Sequence, residues 1–120
     1  MALNTAGTRT VTASDITNPA KTANTSSSIP VSAGAFVKLQ LLVPGETAAP
    51  GSAAGKTGTP TVRTAGASYN VTVNAVDSRW NLVTNATDAV VITSTDPNAV
   101  LPASAALVSA FFVSMLRCIS

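Results

Sequence analysis

The stretch Ser68-Tyr69-Asn70-Val71-Thr72-Val73-Asn74-Ala75-Val76-Asp77 decides the fold. Polar and apolar residues alternate strictly along it, and the apolar set is Tyr69, Val71, Val73 and Ala75. Successive side chains of a β-strand point to opposite faces, so the alternation predicts a strand with one buried face. The strand is expected to end at Asp77-Ser78, a pair typical of turns.

The composition of the whole chain also favours β structure. Its 120 residues suit one domain. Charged residues make up 10%, against about a quarter in an average globular domain. The charged residues that coat a soluble helix are therefore scarce, whereas Thr and Val, which suit a pleated surface, are common.

Further strands are predicted on either side of the decisive stretch. Residues 36–43 alternate, with Val37, Leu39, Leu41 and Val43 on the core face and Lys38 and Gln40 opposite. Shorter strands are expected at Gly7–Asp15, Leu82-Val83 and Ala89–Thr93. Turn signals every 8–12 or so residues between such strands are typical of a β-sandwich or barrel.

Two segments lack any periodic pattern. Residues 16–35 begin with a run of Thr, Ser, Asn and Pro, which predicts a linker between a terminal strand, residues 1–15, and a main module, residues 36–120. Residues 46–60 consist mainly of Gly, Ala, Thr and Pro, which predicts a mobile surface loop.

The tail, residues 103–118, fits two structures. Phe111, Val113 and Met115 alternate as in a strand, whereas Leu107, Ala110, Phe111, Met115 and Cys118 fit one face of a helix. The uncharged run 99–116 contains Pro102 and several serines and is at the short end of the ~20 residues that a membrane span needs. We therefore favour a strand or a helix over a membrane span.

The sequence argues against catalytic, metal, cofactor and nucleic-acid sites. It has no histidine and a single cysteine, Cys118, so a nucleophile has no obvious base and a zinc site lacks ligands. The five acidic residues are dispersed, which favours turn capping by aspartates such as Asp77 and Asp96 over a calcium site. The seven cations never cluster as they do on nucleic-acid-binding surfaces.

One turn carries the candidate binding residues. Trp80 lies between Arg79 and Asn81 in the turn that follows the decisive strand. An exposed tryptophan there would be an anchor for a ligand. The alternative is that the ring covers the end of the core, because tryptophan is usually buried.

Three blocks in order resemble the invasin-like immunoglobulin-like repeats of bacterial surface proteins. They are residues 64–77 (TAGASYNVTVNAVD), residues 77–84 (DSRWNLVT) and residues 91–102 (VITSTDPNAVLP), and the likeness covers roughly residues 60–116. The resemblance implies an antiparallel immunoglobulin-like β-sandwich of about seven strands. Trp80 stands where the family usually has glycine.

The chain departs from the repeat pattern at its two ends. The family's last strand is missing after Phe111–Leu116, whereas Thr5–Asp15 looks like the end of a preceding repeat. We therefore expect the N-terminal strand to fill the vacant edge beside Phe111–Leu116, within the chain or in a neighbouring copy. An open sheet edge favours such strand addition.

The resemblance implies a non-enzymatic structural role. It indicates a spacer or display module of an exported bacterial protein that is extracellular or on the cell surface. Residues 1–15 do not have the pattern of an export signal. The expected partners are neighbouring repeats or other copies of the chain itself. Two alternatives stay open. One is a carbohydrate- or protein-binding module that uses Arg79, Trp80 and Asn81, and the other is a filament subunit that assembles by strand exchange.

Overall fold

The structure, a computed structural model, describes residues 1–108 and 111–117. These residues contain β-strands and no helix, which confirms the all-β prediction. The count of about seven strands is not reproduced, because many paired segments are only two or three residues long. There are eleven: β1 (Gly7–Arg9), β2 (Thr12–Ala13), β3 (Asn24–Thr25), β4 (Ile29–Val31), β5 (Lys38–Leu42), β6 (Glu46–Ala48), β7 (Lys56–Gly58), β8 (Ser68–Val76), β9 (Ala89–Val90), β10 (Ala105–Ala106) and β11 (Phe111–Arg117).

The central sheet is built around the decisive stretch. Strand β8 spans Ser68–Val76, as predicted, and lies between β11 and β5. Both neighbours are antiparallel to β8, with Phe111 opposite Asn74 and Leu41 opposite Val73. The strand alternative for the tail is therefore correct over residues 111–117, whereas Cys118 lies outside the described residues.

The two faces of the central sheet differ in polarity. On the apolar face, Val73 and Ala75 join a buried cluster with Ala86, Val90 and Leu107, and Phe36 and Ile92 pack against it. Residues 83–108 thus cover this face, and within them β9 pairs with β10. Segment 89–93 was expected to be one strand, but only Ala89–Val90 pair, and Leu82 forms a single bridge to Val76.

The burial of β5 differs from the sequence expectation. Leu39 and Leu41 do share a face with the core, yet they are 44% and 45% exposed, because the covering segment leaves a cleft of about 240 Å³ beside them. The most buried residue of the strand is polar Gln40, at 3% exposure. Its amide nitrogen donates to the carbonyl of Gly55 at 2.7 Å, which satisfies the buried group.

The segment predicted as a mobile loop is a β-hairpin. Strands β6 and β7 pair from Glu46 opposite Gly58 to Ala48 opposite Lys56. The prediction of an unpaired loop is wrong, because backbone pairing needs no apolar period and an ion pair joins Lys56 to Glu46 at 2.9 Å. The hairpin loop lies over the polar face of the central sheet, where Gly55 receives the Gln40 hydrogen bond.

Residues 7–31 form a hairpin arm of four short strands, whereas one strand and a linker were expected here. Strand β1 pairs with β4, and β2 pairs with β3. Between them the register shifts by one residue. Next to the shift, the Val11 N–H donates to the Ser26 hydroxyl and the Val11 carbonyl accepts the Ser26 N–H. Strand β1 thus does not fill the edge beside β11 in this chain, because it pairs with β4 instead.

The molecule is elongated. Its principal extents are 64 × 30 × 16 Å and its radius of gyration is 19.5 Å, whereas a compact domain of this length is expected near ~13.6 Å. Most residues of the arm are exposed, and Ile16 near its tip is 92% exposed. In the described part of the chain, no helix has the length and apolar character required to span a membrane.

Candidate ligand-binding turn at Trp80

The turn after β8 is organised by the carboxylate of Asp77. Its Oδ1 accepts the backbone N–H groups of Arg79 and Asn81 at 2.8 and 2.9 Å. Its backbone carbonyl accepts the N–H of Trp80, and its own N–H donates to the carbonyl of Asn81. This is the turn capping predicted for Asp77, and Asp96 caps Asn98 in the same way at 2.9 Å.

Burial and hydrogen bonding act in opposite directions on Asp77. Its nearly complete burial alone would raise the pKa of the carboxyl group. The backbone N–H groups of Gly34, Asn81 and Arg79, together with the Asn81 side-chain amide, stabilise the charged form more strongly. The pKa of Asp77 therefore lies below its ordinary value, and the carboxylate is a fixed structural anion.

Trp80 has an unusual backbone conformation. Its φ is +69°, in the left-handed region that non-glycine residues rarely adopt. Asp77 fixes the residues on both sides of Trp80 and thereby imposes this conformation. Glycine, which lacks a β-carbon, would adopt this conformation without strain.

The indole ring of Trp80 is held between the sheet and the β6–β7 loop. Its Nε1 donates to the carbonyl of Ala53 at 3.2 Å. The Nζ of Lys38 lies 3.5 Å from the ring centroid, a cation–π contact. The backbone of Gly55 packs so closely on the ring that a β-carbon at residue 55 would overlap it. Trp80 is half-buried, which agrees better with a covering role than with a free binding platform.

The Asn81 amide connects the turn to the N-terminal segment. Its Nδ2 donates to the carbonyl of Asn4 at 2.8 Å and to the Asp77 carboxylate at 3.1 Å. Its Oδ1 accepts the N–H of Ala6 at 2.8 Å. Because Asp77 also accepts the N–H of Gly34 at 2.8 Å, the Asp77–Asn81 pair joins residues 4–6, residue 34 and the end of β8.

The three predicted site residues are adjacent in the sequence but differ in their exposure to solvent. Arg79 has an exposed side chain, and its carbonyl accepts the N–H of Gly51 at 2.7 Å. Asn81 is 4% exposed, and its hydrogen bonds occupy both ends of its amide. Of the three predicted site residues, Arg79 is therefore exposed, Trp80 is half-buried and Asn81 is inaccessible to a ligand.

The contacts of Lys38 and Gly55 with Trp80 had no signal in the sequence. Both residues approach the ring from distant segments, so only the packed hairpin reveals them. Elsewhere in the described ranges, no three residues of the types His, Cys, Asp and Glu lie together as a metal site would need. No family model matches the chain, and neither a curated protein nor a solved structure matches it.

Proposed function

We propose that the chain is a structural spacer or display module of an exported bacterial repeat protein, adhesin-like and extracellular. The observation that carries the proposal is the buried Asn81 amide. It links the Asp77 turn to Ala6, within the segment that resembles the end of a preceding repeat, and to Asn4, which borders that segment. Successive repeats would thus be joined by buried hydrogen bonds, as a rigid spacer requires.

Two further observations support this role. The length of 64 Å suits a module that extends a chain away from a surface. A segment packs on each face of the central sheet. The β6–β7 hairpin contacts Gln40 on the polar face, and residues 83–108 contact Val73 on the apolar face. This arrangement supports the finer proposal of an immunoglobulin-like sandwich, which otherwise depends on the sequence resemblance.

The test of the proposal measures whether residues 4–6 are fixed to the sheet. In hydrogen exchange of the whole chain, we expect the Ala6 amide to be protected, and Asn81→Ala to lower that protection at least tenfold. Asn85→Ala is the matched control, because Asn85 is exposed and lies only four positions away. An unprotected Ala6 amide in the wild type would mean that the junction is loose, and the spacer role would be rejected.

The alternative of glycan or protein binding rests on the exposed Arg79 and the partly accessible Trp80 ring. Lys38 already occupies a ring face, so a stacked sugar would have to displace it. Screening glycans against the wild type, Trp80→Ala and Lys38→Met would test this alternative. Binding that is lost in Trp80→Ala and strengthened in Lys38→Met would favour it over the spacer role.

Filament assembly by strand exchange is the other alternative. The observation in its favour is that β11 and β5 are both edge strands of the central sheet in the described part of the chain. Exchange would require β1 to leave β4 and pair with β11 of another copy. Electron microscopy of the purified chain, with residues 1–15 deleted as the control, would reveal whether filaments depend on that strand.

A further inference from the structure

Three segments of the chain match the pattern Asn-x-Ser/Thr, in which x is any residue except proline. They are Asn24-Thr25-Ser26, Asn70-Val71-Thr72 and Asn85-Ala86-Thr87. In this pattern the asparagine amide is an acceptor for a sugar, and the hydroxyl group two residues later is part of what the transferring enzyme recognises. Both groups must therefore be accessible on the surface of the folded chain, and the structure separates the three segments by this criterion.

The hydroxyl group of the segment at Asn24 is already engaged. Asn24 and Thr25 form strand β3, which pairs with β2. The Ser26 hydroxyl accepts the N–H of Val11 at 3.0 Å and donates to the carbonyl of Ser27 at 2.9 Å. A transferring enzyme would have to break hydrogen bonds of the arm to reach this hydroxyl.

The segment at Asn70 lies within the central sheet. Asn70 and Thr72 both belong to β8, and Thr72 is half-buried. Thr72 lies opposite Leu42 of β5 and Val113 of β11, so strands flank it on both sides. A strand fixed in this way cannot adapt to the binding cleft of an enzyme as a surface loop does.

The segment at Asn85 lies outside the strands and presents both groups to solvent. Asn85 and Thr87 are exposed, whereas Ala86 between them is 6% exposed and belongs to the buried cluster. Ala86 therefore anchors the segment and leaves the two flanking side chains accessible. Within the described residues, neither the Asn85 nor the Thr87 side chain forms a hydrogen bond, so neither has to give up a partner.

Backbone hydrogen bonds on both sides hold this segment in place. The Val83 N–H donates to the carbonyl of Ala75 at 2.9 Å, and the Leu107 N–H donates to the carbonyl of Asp88 at 3.0 Å. The accessible turn at Asn85 is thus part of the folded structure and does not depend on local unfolding.

A groove beside Asn85 has room for a sugar. Its volume is about 440 Å³, and Ala6, residues 32–34 and residues 82–85 line it. Ligand pockets typically have volumes of roughly 300–1,000 Å³. A sugar attached to Asn85 would therefore find space beside the turn without displacing it.

We propose that Asn85 is an N-glycosylation site of the folded protein, modified by a transferase that recognises Thr87. The Nδ2 atom of Asn85 attacks the anomeric carbon of a sugar that is activated as a phosphate ester. A bond forms between Nδ2 and the anomeric carbon, and the bond from that carbon to the phosphate oxygen breaks. The phosphate group leaves with the electron pair, and Nδ2 loses a proton to the transferase. The attached sugar would add a bulky, solubilising group to the surface, which goes beyond the spacer role.

The experiment treats the folded, full-length chain with transferases specific for the Asn-x-Ser/Thr pattern and locates the attached sugar by mass spectrometry of peptides. One arm uses a soluble transferase with a nucleotide sugar, and the other uses a membrane transferase with a lipid-linked oligosaccharide, so the arms distinguish the two sugar donors. We expect the occupancy of Asn85 to be at least tenfold higher than that of Asn24 or Asn70 in at least one arm. Asn85→Gln and Thr87→Val should abolish the modification, whereas Thr87→Ser should retain it.

Short peptides that carry each of the three segments are the control, because they lack the contacts of the folded chain. Each occupancy in the folded chain is divided by the rate for the matching peptide, which removes the transferase's own preference, and circular dichroism verifies the fold of the variants. Three results would overturn the proposal. They are no sugar on Asn85 in either arm, an equal corrected occupancy at Asn24 or Asn70, and modification of Thr87→Val at the wild-type rate.

Discussion

The ring of Trp80 rests on the backbone of Gly55 with no space for a β-carbon between them. This contact fastens the β6–β7 loop to the turn that follows β8. The Gln40 amide supports it by donating to the Gly55 carbonyl. Gly55 is also in the left-handed region, at φ +79°, so glycine is required there for both its conformation and its size.

Gly55→Ala is expected to destabilise the protein more than a matched glycine substitution does. Gly66 has a similar φ of +84°, yet a β-carbon there would meet nothing within 4 Å. Gly66→Ala should therefore cost only the backbone strain, about 1 kcal/mol. Gly55→Ala should cost about 1–3 kcal/mol more, because the Trp80 ring must shift. Urea denaturation of both variants measures the difference, and equal losses would show that the ring contact contributes nothing.

Trp80→Gly tests the same contact from the other side. It relieves the positive φ of residue 80 but removes the contacts of the ring with Lys38 and Ala53. In the Gly55→Ala background the ring clashes with the new β-carbon, and Trp80→Gly removes that clash, so the substitution should cost less there than it does alone. We expect a coupling of about 0.5–3 kcal/mol in a double-mutant cycle. Strictly additive effects would contradict the packing described here.

The sequence contains enough information for β8 but not for the features that surround it. Alternation predicts the bounds of β8 and the two faces of β5, because each strand has a period of two. The turn at Asp77 follows from residue type, since a short carboxylate caps nearby N–H groups. The β6–β7 hairpin does not follow, because its stability comes from backbone pairing and from the Glu46–Lys56 ion pair.

The hydrogen bonds made by the Asn81 and Gln40 side chains also could not be predicted from the sequence. Asn81 bonds Asn4, and Gln40 bonds Gly55, so each amide depends on a partner from a different part of the chain. A polar residue in an alternating strand predicts an exposed face, and only the hairpin above it turns Gln40 into a buried residue. Arg79, Trp80 and Asn81 lie in one turn, as their order in the sequence predicts, but their different exposures were not predictable from the sequence.

Acidification is expected to destabilise the fold partly through Asp77. The pKa of Asp77 in the folded state lies below the ordinary 3.8. Its contribution to the free energy of unfolding is therefore complete above pH 3.8 and is lost as the pH falls through the folded-state pKa. Asp77→Asn should cost about 1–3 kcal/mol at neutral pH, since charge-assisted hydrogen bonds are lost. The difference in stability between Asp77→Asn and the wild type should therefore become smaller below pH 3.8. Thermal melts from pH 7 to 2 measure this.

The control for the Asp77 prediction is Asp88→Asn, which removes the same charge from an exposed side chain. It should change stability by no more than about 0.5 kcal/mol at neutral pH. Glu46 also has a lowered pKa, from an ordinary 4.5, so some acid sensitivity will persist in Asp77→Asn. A deficit that stays constant as the pH falls would contradict the assigned role of the carboxylate.

The adjacent residues Leu107 and Val108 allow a direct test of the core on the apolar face. Leu107 is 2% exposed within the buried cluster, whereas Val108 is 72% exposed. Leu107→Ala should cost about 2–5 kcal/mol, because it removes buried methyl groups and leaves a cavity against Val73 and Ala75. Val108→Ala should change stability by less than about 0.5 kcal/mol. Denaturant titration of the two variants decides the matter. Similar losses at both positions would mean that residues 83–108 do not cover the sheet, and the layered arrangement proposed for the module would fail with them.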